Sequence, residues 1–74
     1  MANPTTTEYL ILLGRRLKAL RNSKNLSLRK LATRCNIDHS DIVRYENGDI
    51  NMSFNTLVEL AQGLEVSLKE LMDF

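Results

Sequence analysis

Apolar residues return along this chain at steps of three and four, and no stretch alternates as a strand would. Leu10, Leu13, Leu17 and Leu20 mark one face of a first helix. Thr5-Thr6-Thr7-Glu8 precedes them as a capping box, in which a Thr hydroxyl and the Glu three residues on serve free amides. Pro4 stands just outside. The helix is expected from about Thr6 to Ser23, closed by Lys24 and Asn25, since Asn follows Gly in tolerating a left-handed cap. Ser27 then caps a short second helix, Leu28 to about Arg34, with Leu31 and Ala32 turned inward. Asn36 supplies the positive φ of a tight turn. Asp38 is the expected N-cap of a third helix, roughly His39–Asn47, anchored by Ile42 and ended by Gly48. Ser53 caps a fourth, about Phe54–Gln62, with Leu57, Leu60 and Ala61 inward and Gly63 as its stop. Ser67-Leu68-Lys69-Glu70 opens a last short helix through Leu71 and Met72.

Five short, closely linked helices predict an all-α fold, a compact five-helix bundle. With 74 residues the chain holds one domain, 1–74. A domain of this size buries only about 60% of its unfolded surface, which leaves a second copy something to add. The longest apolar run, Tyr9–Leu13, falls far short of the ~18 residues of a membrane span. Glu8 sits beside that run where a signal peptide would be basic. Cys35 is the lone cysteine, so no internal disulfide or zinc set is expected, and the expected compartment is the reducing cytoplasm.

The third helix is unusual in what it lacks. "NIDHSDIVRY" offers Ile37 and Ile42, five apart, to a core and is otherwise mostly polar. Two short helices joined by a few residues around Asn36 form a helix-turn-helix, whose second helix enters the DNA major groove. Its outer face then serves the groove rather than the core. Charge points the same way. Residues 1–50 hold nine Lys and Arg against five Asp and Glu; residues 51–74 hold Lys69 against four acids. Eight basic residues and no acid lie between Arg15 and Arg34, a field that attracts polyanions or simply forms a solvated face.

"LSLRKLATRCNIDHSDIVRYENGD" resembles the phage-repressor-like helix-turn-helix family, of the Cro/cI or XRE type. Leu26, Ser27, Leu31, Ala32, Ile37, Ile42, Tyr45, Glu46 and Gly48 match its pattern in spacing, with "GRRLKALR" upstream and "SFNTLVELAQGLEVSLKELMDF" downstream. Leu28 stands where the family usually has Gln, Asn36 where it has a turn Gly, and Met52 where a loop Pro is common. The resemblance implies a lambda-repressor-like DNA-binding domain acting as a sequence-specific transcriptional regulator. The implied partners are double-stranded DNA and a second copy of the chain, with no cofactor, metal, membrane or small-molecule substrate. It also implies base readout by His39, Ser40 and Arg44. Asp41 is a further candidate, because its carboxylate repels phosphates yet can accept from a cytosine amino group. Arg44 has the chemistry to hold a guanine through both acceptors of its groove edge. Phosphate contacts are expected from Ser27, the Leu28 amide, Arg29 and Asn47, the first three at a positive helix end.

The resemblance further implies an ion pair, Arg21 with Glu46, fixing the third helix to the first. Tyr45 is expected as core or phosphate contact, Cys35 as a core filler, and Lys30 and Arg34 as a long-range field or solvated charges. Leu12 and Ile11 point away from the inward stripe of the first helix. With Leu71, Met72 and Phe74 they form either a mutual cover of the two termini or a homodimer seam. No enzyme is expected: no Cys/His metal set and no phosphate-cradling Gly loop is present. Repressors, autoregulators and restriction–modification controllers all fit, and the alternative is a protein-interaction module such as an antitoxin or anti-repressor on the same fold.

Overall fold

Four helix starts in the chain are held by a hydroxyl. Thr5, Ser27, Ser53 and Ser67 each sit in extended backbone and accept from the amide three residues on. The computed structural model describes residues 4–74, so the first three positions of the expected 1–74 domain lie outside them. Its helices are α1 (Thr6–Ser23), α2 (Leu28–Cys35), α3 (His39–Asn47), α4 (Phe54–Leu64) and α5 (Leu68–Leu71). The fold is all-α, and no strand occurs among the described residues.

Every helix sends at least one fully buried side chain to a common centre: Leu17, Leu31, Ile42, Leu60 with Leu64, and Leu71. Each such burial is worth about 1.5–3 kcal/mol. Leu13, Leu20 and Leu26 close the core around α1, and Leu28, Ala32, Ile37 and Tyr45 pack on its edge. Leu10, the outermost position of the expected α1 stripe, is only half-buried.

Two local readings of the sequence need correction, and a third, the Asp38 N-cap, holds through its backbone alone. Gly63 does not stop α4; the helix runs through it to Leu64, and Glu65 takes the left-handed cap at φ 58°. The glycine is there for space: a Cβ would strike the Cys35 sulfur and lie 3.3 Å from Leu31 Cδ1, so α2 and α4 meet at its bare backbone. Asp38 takes the backbone position of an N-cap, but its carboxylate makes no capping hydrogen bond. Asp41, in the first turn of α3, supplies the negative charge that suits that helix end. At α1, Glu8 accepts from the Thr5 hydroxyl at 3.3 Å instead of serving a free amide.

α3 is positioned by close approach on one side. Gly14 of α1 is buried where a Cβ would strike the carbonyl oxygens of Tyr45 and Glu46, so α1 lies directly on the end of α3. Asn36 (φ 57°) and Gly48 (φ 73°) bend the chain into and out of α3, in the left-handed conformations expected of them.

Candidate nucleic-acid interface

α3 divides into an inner and an outer side. Ile42 is fully buried and Tyr45 half-buried against the core. His39, Ser40, Val43, Arg44 and Asn47 are exposed. Helical spacing sorts them into two adjacent rows: His39, Val43 and Asn47 at steps of four, and Ser40 with Arg44 beside them. Asp41 stands apart from both rows and is half-buried.

The start of α2 lies next to this surface. Ser27 Oγ accepts from the Lys30 amide at 3.1 Å, and the Ser27 carbonyl takes the Leu31 amide at 3.0 Å. The Leu28 and Arg29 amides fall in the first turn, where no intrahelical acceptor exists, at the positive end of the helix. Leu28 turns its side chain into the core edge, so only its backbone is available outward. Arg29 is exposed and, with Thr33, Asn36 and His39, lines an open cleft of about 840 Å³ between α2 and the start of α3. One expected phosphate residue, Arg29, and one expected base residue, His39, thus share a single concavity. Asn47 lies at the opposite end of α3.

The ends of α1 and α3 are tied by a fork. Arg21 Nε donates to Glu46 Oε2 at 2.6 Å and Nη2 to Oε1 at 3.1 Å. Nη1 donates to the Leu26 carbonyl at 2.9 Å. The two side chains are only 10% and 6% exposed, so this is a buried pair in which each guanidinium nitrogen has a partner. Among the described residues no buried side-chain nitrogen or oxygen lacks a partner. Arg34, by contrast, is turned toward α4, reaching the Gly63 carbonyl at 3.5 Å and Glu65 at 3.4 Å. It therefore adds less to the field at α3 than its place in the sequence suggests.

Against this geometry, the profile of the helix-turn-helix domain family matches residues 12–74. The chain belongs to that family. It is 33% identical over 70 residues to the control protein C.BamHI of Bacillus amyloliquefaciens, covering 93% of this chain and 86% of that protein. Among solved structures it resembles the restriction–modification controller C.AhdI from Aeromonas hydrophila, with a TM-score of 0.82 and 35% identity. That match covers 84% of this chain and 94% of C.AhdI. It also resembles an HTH_3 family transcriptional regulator from Vibrio cholerae, with a TM-score of 0.87 and 28% identity. There the match covers 90% of this chain and 38% of that one. The family's relatives are regulators rather than enzymes, and a helix-turn-helix transcriptional regulator is what this chain is.

Some of what shapes this surface carries no signal in the sequence. Gly14 reads as an ordinary weak point in a helix until its contact with α3 is seen. Val43 is exposed although its neighbour Ile42 is fully buried, and the sequence does not separate the two. Arg16 reads as one more surface charge, yet its Nε and Nη2 both donate to the Glu70 carbonyl, at 3.1 and 3.0 Å, and pin α5 to α1. Beyond that pin the Tyr9 and Phe74 rings meet at 6.4 Å between centroids, tilted by 58°. The termini do touch, but Tyr9 and Phe74 remain 48% and 46% exposed, and Leu12 and Met72 are exposed nearby. Cys35 is buried, and its thiol is pushed up to about 11, mainly by burial and then by Glu59, against the opposing effects of Arg34 and a Gly63 backbone hydrogen bond. No group of side chains suited to a metal occurs among the described residues, and none of their helices is long and apolar enough to cross a membrane.

Proposed function

We propose that this chain reads a near-palindromic duplex operator as a homodimer, through His39, Ser40 and Arg44, with the half-buried Asp41 at the edge of that surface, in the manner of a restriction–modification controller. The observation that carries the proposal is the outward surface of α3. It is polar but for Val43, exposed and held at its far end by the Arg21–Glu46 fork, so its side chains are presented on a braced rod. Ser27, the Leu28 amide and Arg29 hold a backbone phosphate on one side of the groove, and Asn47 reaches the other. Similarity to C.BamHI and C.AhdI over most of their lengths supports the controller type. The unpaired, buried Cys35 suits work in the cytoplasm. The apolar surface of Tyr9, Leu12, Met72 and Phe74 supports the dimer, which would set two reading helices about 34–36 Å apart.

Selection of bound duplexes from a random pool, with the winners titrated at 50 and 200 mM salt, tests this. The expected outcome is a two-fold symmetric motif. Arg44→Ala relaxes it at one position per half-site. If six or more phosphates are neutralised, affinity falls at least about 10³-fold between the two salts. No duplex preference and a flat salt response would overturn the proposal. They would support the second reading, a protein-interaction module such as an antitoxin or anti-repressor. Phe54 favours that reading, standing 69% exposed on the first turn of α4.

A further inference from the structure

One residue on the outward side of α3 is apolar. Val43 is 37% exposed, one helical turn from His39 and one from Asn47, with Arg44 beside it in the next row. Ile42, its neighbour, is fully buried. A lone exposed apolar side chain needs no explanation on an ordinary surface. Here its place matters, because Val43 lies between residues that meet base edges if α3 enters the groove.

A valine laid on a base edge displaces water from donors and acceptors and returns no hydrogen bond. Over most of the major groove that is unfavourable. The exception is the pyrimidine C5-methyl, the apolar group that a T·A pair presents there. Valine suits such a contact. In a helix its branched side chain holds one strongly preferred rotamer, so it offers its methyl groups with little ordering to lose.

We propose that Val43 packs on the C5-methyl of one thymine per half-site, and so selects a T·A pair that the polar residues of α3 leave unread. This rests on the α3 proposal above. The same methyl is carried by 5-methylcytosine, and the two sources are distinguished below.

The test uses the duplex selected by the full chain. Each thymine of a half-site is replaced in turn by deoxyuridine, which removes the methyl and keeps every hydrogen-bonding group. At one position affinity should fall about fourfold, the worth of one buried methyl-sized group. In Val43→Ala the same replacement should change affinity by less than about half that factor, and the variant should bind the thymine duplex about as the parent binds the uracil one. Val43→Ala is expected to fold, because alanine is the strongest helix former and the position is exposed; a thermal melt checks it. Cytosine and 5-methylcytosine are then compared at the same position. A gain with 5-methylcytosine shows that the methyl suffices on either base, whereas an effect seen with thymine alone assigns the contact to thymine; both support the proposal. A selected half-site without a required thymine, indifference to uracil, or a uracil penalty unchanged in Val43→Ala would overturn it while leaving DNA reading by α3 in place. Failure to select any duplex would overturn both.

Discussion

Glu46→Gln is the perturbation whose size the structure fixes best. It removes the carboxylate that both Nε and Nη2 of Arg21 hold, at 2.6 and 3.1 Å, and leaves the guanidinium among side chains that exclude water. Breaking a buried pair by removing one partner costs about 3–5 kcal/mol. A domain of 74 residues has about 4–11 kcal/mol in all, at the usual stability per residue. The variant should therefore lose about a quarter or more of its stability, and its Tm should fall by on the order of 12 °C or more. The assay is urea unfolding followed by helical circular dichroism, in a cycle with Arg21→Met, Glu46→Leu and the pair. Apolar replacement of both partners removes the unpaired charge, so the double variant should lose less than either single variant. A remainder of about 1–3 kcal/mol belongs to the Leu26 carbonyl, which then lacks its Nη1 donor. Single-variant losses below about 1 kcal/mol, the range of exposed pairs, or an additive cycle would refute the bracing argument.

The close contact at Gly63 makes a prediction against helix propensity. Gly63→Ala should gain about 1 kcal/mol as a helix former, yet driving a Cβ into the Cys35 sulfur costs about 1–3 kcal/mol, so the protein should be destabilised by up to about 2 kcal/mol net. Adding Cys35→Ala should recover most of that loss in the same melt, and a stabilised single variant would contradict the packing. Gly14→Ala should be worse and resist such rescue, because its Cβ meets the backbone oxygens of Tyr45 and Glu46, which have no rotamer to change. The Cys35 thiol, raised from 9.0 to about 11, keeps its proton in the folded chain where the unfolded chain gives it up. Its contribution to stability is present in full below about pH 9 and is lost as pH rises toward 11. Urea midpoints across that window should fall more steeply for the parent than for Cys35→Ala, and iodoacetamide should label the native thiol far more slowly than the unfolded one.

Helix starts were legible because capping is local. Ser27, Ser53 and Ser67 needed only their own next three residues to announce α2, α4 and α5. Helix ends were less so, since a glycine serves two purposes that sequence does not separate. Gly48 supplies a positive φ and ends α3, whereas Gly63 supplies space inside α4, and the left-handed cap falls instead to Glu65. The polar outer side of α3 was visible because one segment had too few apolar residues for a core role. Val43 was hidden for the opposite reason. Adjacent residues on a helix point about 100° apart, and only the packing of α1 and α2 decides that Ile42 is covered and Val43 is not. The Arg16 clamp on the Glu70 carbonyl joins residues 54 apart and has no local signature.

The central claim is that the outward side of α3 is what touches DNA. A two-dimensional amide NMR titration of the full chain with its selected duplex tests it most directly. The largest shifts should fall on His39–Asn47 and on the Leu28 and Arg29 amides, whereas Tyr9 and Phe74 should shift on dilution of the free chain if the termini form the dimer. A shift map centred on the α1–α5 end, with His39, Ser40 and Arg44 unmoved at saturation, would contradict the account.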